Sequence, residues 1–270
     1  MRRLPASCFF ILAFLSTIPA ARAAQCGGDF RSFVATISRE ATAKGISSSV
    51  IDQALGGVTE DANVLAFDRR QRGTFNKSFE QYVATRVGPE RIRGGLAMMQ
   101  RHASLLSRIE KQFGVPPQIL VAIWGLESDF GKGDMGKLPV FRVLATMAHD
   151  CRRTDLFQTE LLAALQIVQR GDLSLREMIG AYAGEIGQTQ FLPSSYIKYG
   201  VDFDGDGRVD LRHSVADVLA STANLLKTNG FRPGPYGEGT ANFDAMREWN
   251  RATVYRKTIA YFADRLAGGG

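Results

Sequence analysis

The sequence predicts a mainly helical protein folded as one unit, and three observations carry that prediction. Apolar residues recur at helical spacing along most of the chain, no long alternating run marks a large sheet, and no Gly/Ser- or Pro-rich stretch separates a second globular unit. The 270 residues, 45% hydrophobic and 22% charged, suffice to bury a large core, and neither disorder nor a repeat array is indicated.

The first element lies outside that fold. Arg2 and Arg3 precede an apolar stretch from Cys8 to Ile18, and Ala21-Arg22-Ala23 follows as a small-x-small cleavage site, the pattern of a secretory signal peptide over residues 1–23. The apolar run is too short for a membrane-spanning helix, and no later stretch approaches the roughly 20 apolar residues a span needs. Gln25 before Cys26 argues against a lipid anchor there, since lipidation needs a small residue at that place. Loss of Arg2, Arg3 and Arg22 with the leader takes the formal charge from +6 to +3. That mild excess suits approach to a polyanion but lacks the dense basic patches of nucleic-acid binding. Cys26 and Cys151 remain as an even pair in an oxidising compartment, and the sequence leaves open a disulfide or two separate buried thiols.

Further along, Phe33, Ile37, Ile46, Val50, Ile51 and Leu55 fit two short amphipathic helices broken at Gly45. Ile92, Leu96, Met99, Leu105, Ile109 and Phe113 follow helical spacing up to a stop at Gly114. Pro116 and Pro117 start a new helix that is apolar nearly all round from Ile119 to Leu126, so it is expected to be buried and to end near Gly131. Phe157, Leu161, Leu162, Leu165 and Val168 mark a helix over 155–171, another runs over about 214–230, and the Gly- and Pro-rich stretch 231–241 reads as a loop.

Glu127 sits where the buried helix ends. Apolar neighbours at Ile123, Trp124 and Phe130 and the negative end of the helix dipole both disfavour its charged form. A carboxyl kept protonated near neutral pH can donate to a glycosidic oxygen. The plainer reading is a glutamate reaching past the helix end into water. Glycosidases usually pair two carboxyl groups, and Asp129, Asp134 and Glu185 are the candidates for a second. Asp129 reads better as a helix-end acceptor, and Glu185 as a supporting or surface residue. No second carboxyl is needed where the sugar supplies its own nucleophile.

Three stretches, GVPPQILVAIWGLESDFGKGDMGK, LATMAHDCRRTDLFQTELLAALQI and GAYAGEIGQTQFLPSSYIKYGVDFDGDGRVDL, together resemble the lytic murein transglycosylase B family. The early GISSSVIDQAL and late WNRATVYRKTIAYFADRL also look like their counterparts there. The resemblance implies a lysozyme-like helical core with a small β portion, acting in the periplasm on peptidoglycan glycan strands. It implies cleavage between N-acetylmuramic acid and N-acetylglucosamine with closure of a 1,6-anhydro ring. A monomer that needs no catalytic cofactor and works in the company of other cell-wall enzymes is expected. Carried over by position, the catalytic glutamate falls on Glu127, and substrate-holding residues fall on Gln190, Tyr182 and Asn250. Amides pair with hydroxyl and acetamido groups and aromatic faces stack on sugar rings, so Phe191, Tyr196 and Trp249 join them as candidates. Ala181 stands where many relatives have serine. Glu185 stands where a small residue is usual, either tuning the site or facing water. The short segment 227–242 implies a smaller β portion and a more open groove than in several relatives.

Residues 202–210 match the first half of an EF-hand loop, with Asp202, Asp204 and Asp206 at alternate positions and glycine at the sharp turn. Those carboxylates and the Arg208 carbonyl would hold a structural calcium ion. His213 occupies the twelfth position, where a bidentate glutamate belongs, and the resemblance suggests that Asp217 closes a longer loop over 202–217. Asp217 has a rival role as the acidic member of a capping box with Ser214. Two alternatives to the transglycosylase are a muramidase that uses water and a non-catalytic, calcium-dependent wall-binding protein.

Overall fold

Short polar side chains and glycines set where the helices begin and end. In the computed structural model, which describes residues 24–70 and 78–268, Asp29 caps α1 (Phe30–Ala43) and Ser47 caps α2 (Ser48–Leu55), so the predicted break at Gly45 falls between them. The signal peptide assigned to residues 1–23 lies outside the described residues. Helices α3 (Ala62–Arg70) and α4 (Phe79–Arg86) carry no apolar face in the sequence, because each buries a single side chain, Val64 and Tyr82.

The stretch expected as one helix up to Gly114 is two, α5 (Pro89–Arg101) and α6 (Ala103–Phe113), broken at His102, whose φ of −108° and ψ of 19° leave the helical region. Leu96 is exposed and the core face of α5 is instead Gly95 and Met98. At Gly95 the C-terminal helix approaches so closely that a Cβ would lie 2.7 Å from the Leu266 side chain.

Helix α7 (Pro117–Ser128) is the centre of the molecule, with every residue from Ile119 to Leu126 buried. It ends at Asp129 rather than near Gly131, because Asp129 and Phe130 both take positive φ, at 50° and 62°. A two-residue antiparallel pair, β1 (Leu138–Pro139) with β2 (Ile179–Gly180), brackets α8 (Val140–His149) and α9 (Thr154–Arg170). The latter two helices pack together, with Phe157, Leu161 and Leu165 turned inward as their spacing predicted. This pair is the β portion; 227–242 contains no strand. There the Asn242 side chain bonds the Arg232 N–H and carbonyl and the Pro235 carbonyl, satisfying loop backbone that a ladder would otherwise serve.

Helices α10 (Pro193–Tyr199), α11 (Val215–Thr228), α12 (Ala241–Ala245) and α13 (Thr253–Leu266) complete the chain, and α13 lies along α7. Cys26 and Cys151 form a disulfide across 125 residues, which resolves the two readings of that pair. Closing so long a loop is worth about 2–4 kcal/mol. No described helix is long and apolar enough to cross a membrane.

Candidate active site

The end of α7 delivers Glu127 to the wall of a cavity of about 340 Å³, while α13 and the turn before it close over its side chain. The Tyr255 hydroxyl donates to Glu127 Oε1 at 2.6 Å and the Trp249 indole N–H donates to the same oxygen at 3.1 Å. Oε2 has no partner among the described residues. Burial pushes the Glu127 carboxyl up from its ordinary pKa, and the negative charge of Glu185 adds to that. The bonds from Tyr255 and Trp249 and the positive charge of Arg86 act in the opposite direction without cancelling it. Tyr255, buried beside this carboxyl, is itself held well above the usual phenol range and stays a neutral donor.

The aromatic groups that bond Glu127 come from outside its own helix. The indole N–H of Trp124 is spent on Gln188 Oε1 at 2.8 Å, and Phe130 meets the Trp124 ring edge-on at 5.7 Å, so these two pack the helix rather than bond the acid.

Gln190, Phe191, Trp249 and Asn250 line the same cavity as Glu127, as does Glu185. Gln190 has a φ of 54°, a conformation unusual for a residue with a Cβ, and its Nε2 donates to the Gly187 carbonyl at 2.8 Å. Its Oε1 remains as an acceptor. Asn250 is the converse: Oδ1 accepts the Ala252 N–H at 2.9 Å and leads the chain into α13, while Nδ2 remains as a donor. An acceptor and a donor in the same cavity as one acid suit a ligand rich in hydroxyl and acetamido groups. Of the other candidates for a second carboxyl, Asp129 pairs with Arg91 at 3.3 Å and Asp134 accepts the Gly136 N–H, both local roles.

Two predicted aromatics do not join the set. Tyr182 is exposed outside the cavity lining, its ring stacked on Phe67 with centroids 3.5 Å apart. Tyr196 is fully buried and its hydroxyl donates to the Val209 carbonyl at 2.5 Å, so the expectation that it stacks on a sugar is corrected: no face of it reaches the groove. Tyr255 was missed, its only signal being its place within the late stretch that resembles the family.

In the aspartate loop, carboxylate oxygens of Asp202, Asp204 and Asp217 lie within 4.8 Å of one another. Asp206 is not in this cluster and pairs with Arg208 at 3.3 Å. Asp217 is fully buried, and burial followed by the charge of Asp204 pushes its carboxyl up, against the pull of the N–H groups of Asp210 and Phe203. Ser214 caps α11 by accepting the Asp217 N–H, but the Asp217 carboxyl turns to Phe203 and Asp210, so only half of a capping box forms.

The family profile described as the transglycosylase SLT domain matches residues 29–239. Over 171 residues the chain is 33% identical to the membrane-bound lytic murein transglycosylase B of Escherichia coli K12, which is 63% of this chain and 47% of that protein. The chain thus spans about half the length of this curated relative. SltB3 of Pseudomonas aeruginosa, solved in complex with NAG-NAM-pentapeptide, superposes with a TM-score of 0.84 at 32% identity, covering 90% of this chain and 81% of that one. The lytic transglycosylase Slt35 of Escherichia coli, solved in complex with calcium, superposes with a TM-score of 0.79 over 93% and 98% of the two chains; at 24% identity it bears on the fold alone. The helical core and its small antiparallel β pair are those of a lysozyme-like transglycosylase fold, and the chain belongs to the transglycosylase SLT domain family.

Proposed function

We propose that the chain is a peptidoglycan lytic transglycosylase, exported to the periplasm behind a leader over residues 1–23, with one catalytic unit over 24–270. The observation that carries this reading is the anchoring of Glu127 through Oε1 alone, beside a cavity with complementary amide groups. Two donors on Oε1 leave the proton of the neutral acid on Oε2. That proton passes to the glycosidic oxygen as the bond from the muramic acid anomeric carbon to it breaks. The Glu127 carboxylate then takes the proton of the sugar 6-hydroxyl, whose oxygen bonds the anomeric carbon and closes the 1,6-anhydro ring. Gln190 Oε1 and Asn250 Nδ2 hold the sugar, Trp249 and Phe191 wall it, and Tyr182 belongs to the glycan path beyond the cavity.

Mass spectrometry of digested cell wall tests this: fragments ending in anhydro-muramic acid are expected, and reducing ends in their place would favour the hydrolytic muramidase. The aspartate loop fits a structural calcium ion held by Asp202, Asp204 and Asp217, because a fully buried carboxylate beside two others calls for positive charge. Bound there, the ion would neutralise that charge and stiffen the chain between α10 and α11.

A further inference from the structure

Glu185 stands in a segment that cannot shift. Its main-chain carbonyl accepts the Ala181 N–H at 3.0 Å, and a Cβ on Gly180 would lie 2.1 Å from that same oxygen. Gly184, at a φ of 81°, packs so tightly that a Cβ would lie 2.4 Å from Leu144. Ile186 bridges to Phe191 across the loop. The carboxylate is pinned as well, since Oε2 accepts the Ala183 N–H at 2.9 Å. A half-buried acidic side chain is thereby held rigidly in the wall of the cavity that Glu127 lines. Nothing in the reaction described above uses it.

We propose that Glu185 is a positioning residue for the acid, a fixed carboxylate in the wall of the same cavity that keeps the proton on Glu127 until a glycan is seated. This rests on the transglycosylase reading. Among the described residues, the charged and titratable groups around Glu127 are Tyr82 and Arg86 from α4, Tyr255 from α13, Glu248 from the turn after α12, and Glu185. Arg86 is the cation of that set and draws the proton off; Glu185 opposes it. Glu248 is exposed, and its charge falls partly on Lys198.

The test compares pH profiles of kcat/KM on purified cell wall for the full mature chain and for Glu185→Gln, Glu185→Ala and Glu185→Asp. A general acid loses activity as pH rises through its own titration, so removing a neighbouring negative charge moves the alkaline limb to lower pH. That shift is expected in Glu185→Gln and Glu185→Ala, with most of the loss at the alkaline end, while Glu185→Asp keeps the limb near its original place. A purely structural side chain would lower the whole profile without moving the limb, and that result overturns the proposal. So does a wild type whose reducing-end products disappear in Glu185→Gln, which would make Glu185 the base for water. Should the wild type release no glycan fragments at all, the transglycosylase reading itself falls.

Discussion

Glu127 and Asp217 are both carboxyls pushed up by burial, yet their surroundings ask opposite things of them. Glu127, in the wall of a cavity, receives two side-chain donors on one oxygen, and its other oxygen has no partner among the described residues. Asp217 receives main-chain N–H donors on both oxygens, from Phe203 and Asp210 at 2.8 Å each, and faces two further aspartates. At Glu127 burial outweighs the two donors, which favour the charged form, and leaves a neutral acid that can give up its proton; the second arrangement gathers carboxylates whose charge a cation would compensate. Burial alone does not make a catalytic group, and the neighbours decide which use follows.

The largest effect that would sharpen this contrast is Glu127→Gln, expected to lower kcat for wall lysis by about 10³-fold with an unchanged fold by circular dichroism. Undiminished release of fragments would instead leave a wall-binding protein. At the other carboxyl, chelation of calcium at pH 7 is expected to lower Tm by roughly 5–10 °C in calorimetry, and Asp217→Asn to abolish that response. The sign with pH follows from the raised Asp217: proton binding supports the folded chain at low pH, and that support is lost as pH rises through the folded-state titration, unless a cation takes it over. The calcium increment should therefore shrink as pH falls into the carboxylate range.

Tyr255→Phe removes a donor that favours the charged form of Glu127 and is expected to reduce kcat by about tenfold while moving the alkaline limb of the pH profile upward. That direction is opposite to the one expected for Glu185→Gln. The smallest effect belongs to Tyr196→Phe, which loses the buried bond to the Val209 carbonyl and the longer one from the Leu211 N–H, together worth about 1–2 kcal/mol of stability, and should leave KM untouched. A raised KM would return Tyr196 to the groove.

What the sequence disclosed follows from what each element buries. Helices α7 and α9 could be read from their apolar residues because they bury whole faces, whereas α3 and α4 bury one side chain each and left no period to find. Position and burial made Glu127 a plausible acid and the family resemblance singled it out, but the groups that bond it come from 122 and 128 residues further on, and no local spacing encodes such a meeting. Tyr196 misled for the same reason in reverse: the carbonyl that takes its hydroxyl lies 13 residues away, beyond a turn whose geometry only the folded chain reveals.

The anchoring of Glu127 through a single oxygen also fixes an order of events in the proposed reaction. With Oε1 occupied, the proton leaves and returns through the same atom, so the carboxyl has no need to flip between the two halves of the cycle. The departing sugar must clear Oε2 before the 6-hydroxyl can reach it. The enzyme would then work like a one-door airlock, in which exit precedes entry and a lingering product blocks its own ring closure.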